Sequence, residues 1–188
     1  MKRNIFIRSL LGVIFLPTSL LSASFKNSSL TDKGFKINAG EGRYHGHIQL
    51  KGVNSNILDV KISGKDTNGE LAIFEQTSLS QGRGTPEHIH LNQDEIFFVI
   101  DGEYLFMVGG VKYKLQIGDS IFLPRNIPHA WTQLSEKGKM TVTVQPAGKL
   151  EEFFMTMSAL EKEPTAQEVA TIFGEHEMKV TGPPLKLE

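Results

Sequence analysis

The sequence predicts an all-β fold, an antiparallel sandwich or barrel, followed by two helices. Three observations predict this architecture. Short apolar segments recur between glycine-containing turns from residue 57 to residue 144, at a spacing of about 8–12 residues. No strand alternates with a helix in the way that a doubly wound parallel sheet requires. The length of 188 residues, with 39% hydrophobic and 22% charged residues, is typical of one globular domain.

The predicted strands are short apolar runs, and turns such as Asp101-Gly102 and Gly118-Asp119 separate them. In chain order they lie at 57–62, 71–81, 95–100, 104–108, 111–117, 120–123, 130–134 and 140–144. No internal repeat is visible in the sequence, which favours one barrel rather than two.

The residues after Gly148 have helical spacing in place of alternation. One apolar stripe predicts a first helix and consists of Leu150, Phe153, Phe154, Met157 and Leu160. Thr165 as N-cap and Glu168 three positions later form a capping box, which predicts the start of a second helix. That helix is expected to end near Gly174 or His176, and the side chain of His176 is expected to face solvent. Residues 182–185 predict an extended segment on the surface.

The first 23 residues have the three parts of a secretory signal peptide. Residues 1–8 are basic with no acid, residues 9–21 are almost entirely apolar, and residues 22–24 are small. The apolar run is shorter than the ~20 residues of a stable membrane span. The protein is therefore predicted to be periplasmic or secreted. The predicted divisions are a signal peptide at 1–23, a lead segment at 24–46, a barrel at 47–148 and a helical tail at 149–188.

Charge and cysteine content exclude several classes of function. The chain has 20 Lys and Arg residues against 21 Asp and Glu residues, with no run of basic residues. A nucleic-acid partner therefore has no electrostatic basis. Because the chain has no cysteine, disulfides, thiolate nucleophiles and cysteine metal sites are excluded. A small-molecule substrate is the expected partner.

Three histidines and a carboxylate form the candidate metal site. His88 and His90 are separated by one residue, so on a strand both side chains point to the same face. Glu95 follows after room for a short turn, and His129 follows the stiff segment 124–128. Imidazole and carboxylate ligands suit Mn, Fe, Co, Ni, Cu or Zn. These four side chains converge only if a small barrel brings their strands together.

The spacing of these residues resembles the motifs of the cupin family. The first cupin motif is matched at every position by Gly82-x5-His88-x-His90-x4-Glu95-x6-Gly102. The second motif is similar to Gly118-x5-Pro124-x-Asn126-x2-His129-x3-Gln133, with two departures. Gln133 stands where asparagine is frequent, and Asn126 stands where glycine is usual. Asparagine is the residue that best replaces glycine at positive φ.

The resemblance covers roughly residues 64–147 and implies a fold and a site. The fold it implies is a single jelly-roll barrel, here followed by helices. It also implies one divalent transition metal, of open identity among Fe, Mn, Ni, Co, Cu and Zn, held by His88, His90, Glu95 and His129. The chain looks similar to small single-domain bacterial cupins of the quercetin 2,3-dioxygenase-like kind. A homodimer is expected only by analogy with such proteins.

The sequence offers a second carboxylate and a second His-x-His pair as alternative metal ligands. Asp94 is an alternative to Glu95 as the carboxylate ligand, since the family tolerates three or four residues between the second histidine of the motif, here His90, and the carboxylate. Glu95 is favoured, because period-two alternation then places Glu95 and Phe97 on one inward face. His45 and His47 form a second His-x-His pair without a carboxylate at motif spacing, and they are interpreted as ordinary strand residues.

The same alternation predicts a substrate pocket from side chains that share the inward face with the metal ligands. They are Phe97, Val99, Phe106, Trp131 and Gln133. An apolar, aromatic cavity beside an open metal position suits a flat organic ligand. The alternative is that these side chains fill the core of the barrel.

Three functions are compatible with these residues. The first is a metal-dependent dioxygenase acting on a flavonoid-like or enolic small molecule, with Glu95 as metal ligand or general base. The second is an isomerase, epimerase or lyase for a sugar or small acid, which Arg83 and Arg125 near the barrel mouth keep open. The third is a protein that binds a small molecule without turnover. The fold alone does not decide among them.

Overall fold

The computed structural model describes residues 33–186 of the chain. The predicted signal peptide and the first part of the predicted lead segment lie outside these residues. The strands in chain order are β1 Ile48–Gln49, β2 Ile57–Ile62, β3 Ala72–Ser78, β4 Pro86–His90, β5 Asp94–Asp101, β6 Tyr104–Val108, β7 Val111–Leu115, β8 Ser120–Leu123, β9 His129–Gln133, β10 Gly138–Gln145 and β11 Met178–Pro184. Helices α1 Leu150–Ser158 and α2 Ala166–Glu175 lie between β10 and β11.

The strands form two antiparallel sheets, as the fold prediction requires. One has the order β1-β2-β3-β10-β5-β8, and the other has the order β11-β4-β9-β6-β7. Strands distant in sequence are neighbours in both sheets, which is the crossed connectivity of a jelly roll. The predicted all-β class and cupin-like sandwich are confirmed.

The core lies between the sheets because side chains alternate along each strand. In β3 the residues Phe74 and Gln76 are buried while their neighbours are partly exposed, and β10 alternates in the same way. Helix α1 buries one stripe, and Phe154 from this stripe packs edge to face on Phe74 with 5.0 Å between ring centres. The helix therefore covers one part of the sandwich interior.

Both helices follow the sequence prediction, α1 in its buried stripe and α2 in its N-terminal cap. The buried residues of α1 are Leu150, Phe153, Phe154 and Met157, all from the predicted stripe. At the start of α2, Thr165 accepts a hydrogen bond from the Glu168 backbone N–H, and the Glu168 carboxylate accepts one from the Thr165 N–H. The predicted capping box is confirmed. Among residues 33–186, no helix is long and apolar enough to cross a membrane.

The C-terminal segment agrees with the prediction and extends it. Residues 182–184 are extended and lie at the surface, and they belong to a longer strand, β11 Met178–Pro184, at the edge of the second sheet. In this strand Met178 pairs with His90 and Val180 pairs with His88. The pairing partner is distant in sequence, so no local pattern reveals it. The predicted domain boundaries stay predictions.

Candidate metal centre

Two neighbouring strands present the three histidines. His88 and His90 lie on the inward face of β4, and both are buried. Strand β9 pairs with β4 so that His129 lies directly opposite His88. Cross-strand neighbours have their Cβ atoms about 4.5–5.5 Å apart, so this register brings the imidazoles together. The ring centres of His88 and His129 are 4.4 Å apart.

The carboxylate comes from the facing sheet. Glu95 is buried on β5, where burial alternates along the strand. Asp94, the alternative candidate, points away and binds Arg125 through two side-chain hydrogen bonds of 3.1 and 2.7 Å. The structure therefore brings Glu95, and not Asp94, to the three histidines.

The turn before β9 needs a left-handed backbone at one position. Asn126 has φ = 63°, and its N–H donates to the His90 carbonyl at 2.8 Å. This conformation is uncommon for residues other than glycine, and asparagine is among those that tolerate it. The substitution of Asn126 for the usual glycine is thus compatible with the second motif. The turn also ties the loop that leads to His129 to the strand that carries His90.

The four side chains offer donor atoms around one point. One ligand atom from each of His88, His90, Glu95 and His129 lies within 4.8 Å of the others. Glu95 Oε2 is 3.5 Å from His90 Nε2 and 3.4 Å from His129 Nε2. Donor atoms at about 2.0–2.2 Å from a common ion are about 3.0–4.4 Å apart, so the cluster is compatible with one ion.

Hydrogen bonds select the ring nitrogen that each histidine presents. Nδ1 of His88 lies 2.8 Å from the Pro86 carbonyl, and Nδ1 of His129 lies 3.0 Å from the Ile127 carbonyl. Since a carbonyl only accepts, both Nδ1 atoms carry the proton, which leaves the Nε2 lone pairs free for a metal. Within the described part of the chain, the buried His129 Nε2 has no hydrogen-bond partner. An orphaned buried acceptor in this cluster fits a metal ligand.

Gln93 orients the third imidazole, and sequence analysis missed it. Its side-chain NH2 donates to the Ala147 carbonyl at 2.8 Å, which leaves its oxygen to accept from His90 Nδ1 at 3.1 Å. His90 therefore also presents Nε2 to the cluster. Gln93 is buried although it lies just before β5. A buried polar residue between two ligands is visible only once the turn is folded.

The electrostatics of the cluster favour the protonation states that a metal needs. Burial alone would raise the pKa of Glu95, but the neighbouring imidazoles of His90, His129 and His88 outweigh burial when they are protonated and lower that pKa to about 2. Burial lowers the pKa of His88 well below its usual 6.5, and the other two imidazoles lower it further against the effect of Glu95. At neutral pH the carboxylate is ionised and the His88 ring is neutral, as metal ligation requires.

A cavity of about 50 Å³ adjoins the cluster. His88, His90 and Glu95 form part of its wall. The rest is mostly apolar and comes from the barrel and from the C-terminal segment: Leu50, Val53, Phe97, Trp131, Val142, Leu150, Phe153, Phe154, Met157, Phe173 and Met178. The cavity therefore lies between the candidate metal ligands and the helices.

The predicted pocket residues separate into two groups. Phe97 and Trp131 line the cavity, whereas Val99 and Phe106 are buried elsewhere in the core. Gln133 accepts from the Ser80 N–H, and its NH2 lies within hydrogen-bond distance of three backbone carbonyls. Its amide is used to join loops, so placing Val99, Phe106 and Gln133 in the pocket does not agree with the cavity found here. Alternation predicts the inward face but not the position along the barrel axis.

Two polar side chains in the cavity wall were not predicted. Gln76 donates to Ser78 Oγ at 2.9 Å, and its oxygen accepts no hydrogen bond within residues 33–186. The Thr85 hydroxyl is buried and likewise has no partner among the described residues. Both groups are available to a ligand. A glutamine at an inward position of a strand, as in β3, is a sequence signal that identifies such a residue.

The histidines outside the candidate metal cluster have other hydrogen-bond partners. His45 lies 3.0 Å from Glu151 and His47 lies 2.7 Å from Asp59, so this second pair has structural contacts. His176 was expected to face solvent, and this is wrong. It is the C-cap of α2, it is buried, and its Nδ1 lies 2.7 Å from the Ile172 carbonyl. The helix end packs against α1, which local sequence does not reveal.

Comparison with known proteins agrees with this architecture. Residues 76–145 match the family model described as Cupin domain. A quercetin 2,3-dioxygenase from Bacillus subtilis (strain 168) is 31% identical over 86 residues, which are 45% of this chain and 25% of that protein. The chain thus matches only a quarter of the length of this curated relative.

Solved structures are similar to this chain at low sequence identity. The polyketide cyclase RemF from Streptomyces resistomycificus has a TM-score of 0.50 and 18% identity, over 61% of this chain and 80% of that chain. An RmlC-like cupin from Shewanella frigidimarina has a TM-score of 0.48 and 20% identity, over 63% of this chain and 96% of that chain. At such identities the likeness concerns the fold alone.

Proposed function

We propose that the chain is a cupin that works as a metal-dependent dioxygenase on a small enolic molecule, since residues 76–145 match the cupin family model. The observation that carries the proposal is the convergence of three imidazoles and one carboxylate, with each imidazole hydrogen-bonded through Nδ1. This donor set suits the transition metals that take part in oxygen chemistry. The partial match to a quercetin 2,3-dioxygenase supports the same reaction class.

His88, His90, Glu95 and His129 would hold a divalent metal, which would supply a Lewis acid for negative charge on a substrate oxygen. The residues around it determine how that charge arises. Glu95 is ionised at neutral pH because its pKa is about 2, so it is able to hold a proton only transiently. It accepts the hydroxyl proton of the enolic substrate at its carboxylate. The cavity wall of Phe97 and Trp131 excludes water from this step.

Gln76 and Thr85 orient the substrate. Each lines the cavity with an oxygen that has no hydrogen-bond partner among the described residues. A substrate hydroxyl that donates to Gln76 satisfies the amide oxygen, and a second oxygen accepts from Thr85. Because unpaired buried polar groups cost about 1–3 kcal/mol each, these two positions favour an oxygen-bearing ligand over a hydrocarbon. An enol with a neighbouring carbonyl has this pattern.

The alternative function, an isomerase, epimerase or lyase, was supported by Arg83 and Arg125. Both arginines have other partners in the structure. Arg125 is paired with Asp94, and Arg83 is paired with Glu163 at 3.2 Å and with the Gly52 carbonyl at 2.8 Å. Both guanidinium groups therefore have partners away from the cavity wall. A binding protein without turnover has the same cavity and differs only in that it consumes no oxygen.

The test begins with metal analysis of the purified protein and continues with oxygen consumption. The metal-loaded protein is assayed with acetylacetone, with other small enolic compounds and with flavonols. We expect Glu95→Gln to lower turnover at least 100-fold with a smaller effect on the substrate KM, because proton transfer contributes mainly in the transition state. The matched control is Asp94→Asn, at the neighbouring carboxylate that points outward. No oxygen consumption with any of these substrates would favour the isomerase, epimerase or lyase, or the binding protein.

We also propose that two copies of the chain pair through the outer face of β5 and β8. Ile96, Phe98 and Phe122 are exposed there, and Ile96 and Phe122 are cross-strand neighbours. β8 is the edge strand of its sheet, so its outer backbone groups are available to another strand. A second copy related by a two-fold axis presents the same apolar face, which makes the contact self-complementary.

A further inference from the structure

The cavity beside the candidate metal ligands is too small for a ring-shaped organic substrate. Its volume is about 50 Å³, whereas an apolar protein cavity that binds benzene measures about 150 Å³. Part of its wall consists of Phe153 on α1 and Phe173 on α2. An organic substrate that reaches the metal must therefore displace part of this aromatic cover.

Of the two helices, α2 is held by fewer buried side chains. Phe173 alone is buried among its ten described residues, whereas α1 buries four. The Phe173 ring packs edge to face on His88 and on Phe153, with ring centres 5.1 and 4.9 Å away. Elements with few buried apolar contacts open at a low free-energy cost. Movement of α2 therefore removes the ring that covers a metal ligand.

Glycine weakens the last turn of α2. Gly174 follows Phe173 directly and has a helical conformation, and a Cβ added to it would meet no atom of the described chain within 4 Å. A glycine within a helix costs about 0.5–1 kcal/mol relative to alanine. The residue after the helical cap, Glu177, has φ = 64°, so a sharp change of direction separates α2 from β11. The strand behind it stays paired with β4.

An outer groove lies beside α2. It measures about 410 Å³ and is lined by Pro164, Ala166 and Val169 from the start of the helix, together with residues of β4 and β11. Val53 lines both the groove and the cavity. Displacement of α2 therefore opens a path from a space large enough for an aromatic ring to the metal ligands.

We propose that α2 is a gate over the metal centre and that Phe173, its plug, determines which molecules reach the metal. Small ligands enter with the gate closed, and planar ring-shaped ligands enter only after α2 opens. The proposal rests on the proposed function in one respect, because it assumes that substrate approaches the His88 cluster. It names Phe173 as a specificity-determining residue in addition to those that contact the metal.

The test compares a large and a small ligand on the full chain loaded with Co²⁺. Binding of catechol and of azide is followed by the visible absorption of Co²⁺ after rapid mixing. For the wild type we expect the catechol rate to reach a plateau as catechol is raised, because opening limits it. Phe173→Ala should raise this plateau at least tenfold, and Gly174→Ala should lower it about two- to fivefold. Azide rates should be equal in all variants.

Gln167→Ala is the matched control, since Gln167 is exposed on the same helix. Glutamine and alanine are both good helix formers, so this change should leave the helix itself intact. Equal acceleration by Gln167→Ala and Phe173→Ala would overturn the proposal, as would a wild-type catechol rate that rises without a plateau and matches that of Phe173→Ala. If Phe173→Ala does not fold, Phe173→Leu and Gly174→Ala still change the rate in opposite directions.

Amide hydrogen exchange on the metal-free protein separates the gate from the proposed function. The amides of α2 should exchange at least tenfold faster than those of α1, and Gly174→Ala should slow them two- to fivefold. Equal protection of both helices would overturn the gate even if Co²⁺ binds. Failure of Co²⁺ to bind would overturn the proposed function, and the exchange data would then decide the gate alone.

Discussion

Replacing Gln93 by leucine tests whether the structure places the His90 imidazole through a hydrogen bond. The side chain is buried and makes two hydrogen bonds, to His90 Nδ1 at 3.1 Å and to the Ala147 carbonyl at 2.8 Å. Leucine has nearly the same size but no polar atoms, so both partners remain buried and unpaired. At about 1–3 kcal/mol for each group, the free energy of unfolding should fall by about 2–6 kcal/mol. For a domain of this size Tm should fall by roughly 5–20 °C.

The same change should weaken metal binding. Partners that orient a ligating histidine typically contribute about 10–100-fold to metal affinity, and we expect a loss in this range for Gln93→Leu. Affinity is measured by competition of Zn²⁺ or Co²⁺ between the protein and a chromophoric chelator, and stability is measured by calorimetry of the metal-free protein. Gln116→Leu is the control, because Gln116 is exposed and lies outside the cluster.

Gln93→Glu separates orientation from stability. A carboxylate still accepts from His90 Nδ1 but no longer donates to the Ala147 carbonyl, so stability should fall while metal affinity stays within about threefold of wild type. If Gln93→Leu loses stability and yet binds metal as tightly as wild type, the hydrogen bond does not orient the ligand and the argument for the Nε2 donors at His90 is wrong.

Three further predictions concern pH, export and assembly. In metal-free protein the folded-state pKa values of His88 and Glu95 lie below 6.5 and 4.5, so the unfolded chain binds more protons. The stability they contribute is complete above about pH 7 and is lost as pH falls, first through His88 and then through Glu95, which denaturant titrations at pH 8, 5.5 and 4 will measure. If the signal-peptide prediction holds, the mass of the native protein should lack about the first 23 residues, and an intact Met1 on the folded protein would contradict it. Phe122→Glu should shift a dimer to monomer in light scattering, whereas Lys179→Glu at an exposed position of β11 in the other sheet should not.

Parts of the candidate metal centre could be predicted from local pattern, whereas the convergence of Glu95 and His129 on the His88–His90 pair was implied by the resemblance to the cupin motifs. Period-two alternation places His88 and His90 on one face, and the φ of Asn126 follows from the choice of that residue in a tight turn. The capping box at Thr165 is equally local, since all of its partners lie within four residues. Where neighbours along the chain decide the geometry, the sequence prediction agrees with the structure.

Predictions were wrong or absent where distant segments meet. The amide of Gln133 forms hydrogen bonds to the backbone of Ser78 and Ser80, more than fifty residues away, and no local pattern reveals these partners. His176 was expected to face solvent at the end of the final helix, but the packing of α2 on α1 buries it. The cavity wall formed by Phe173 and Met178 depends in the same way on where the C-terminal segment packs against the barrel. Periodicity identifies a buried face and contains no information about which remote element covers it.

The division of the ligands between the two sheets has a consequence for the lifetime of the protein. Three imidazoles belong to one layer and the carboxylate belongs to the other, so a bound ion cross-links the layers of the sandwich. Separating the layers then requires metal release, and free metal at 1,000 times its Kd adds about 4 kcal/mol to the free energy of unfolding. In a metal-poor environment the protein would unfold more often, and proteases would degrade it faster than the metal-bound form. The abundance of the protein would thus report the supply of its metal.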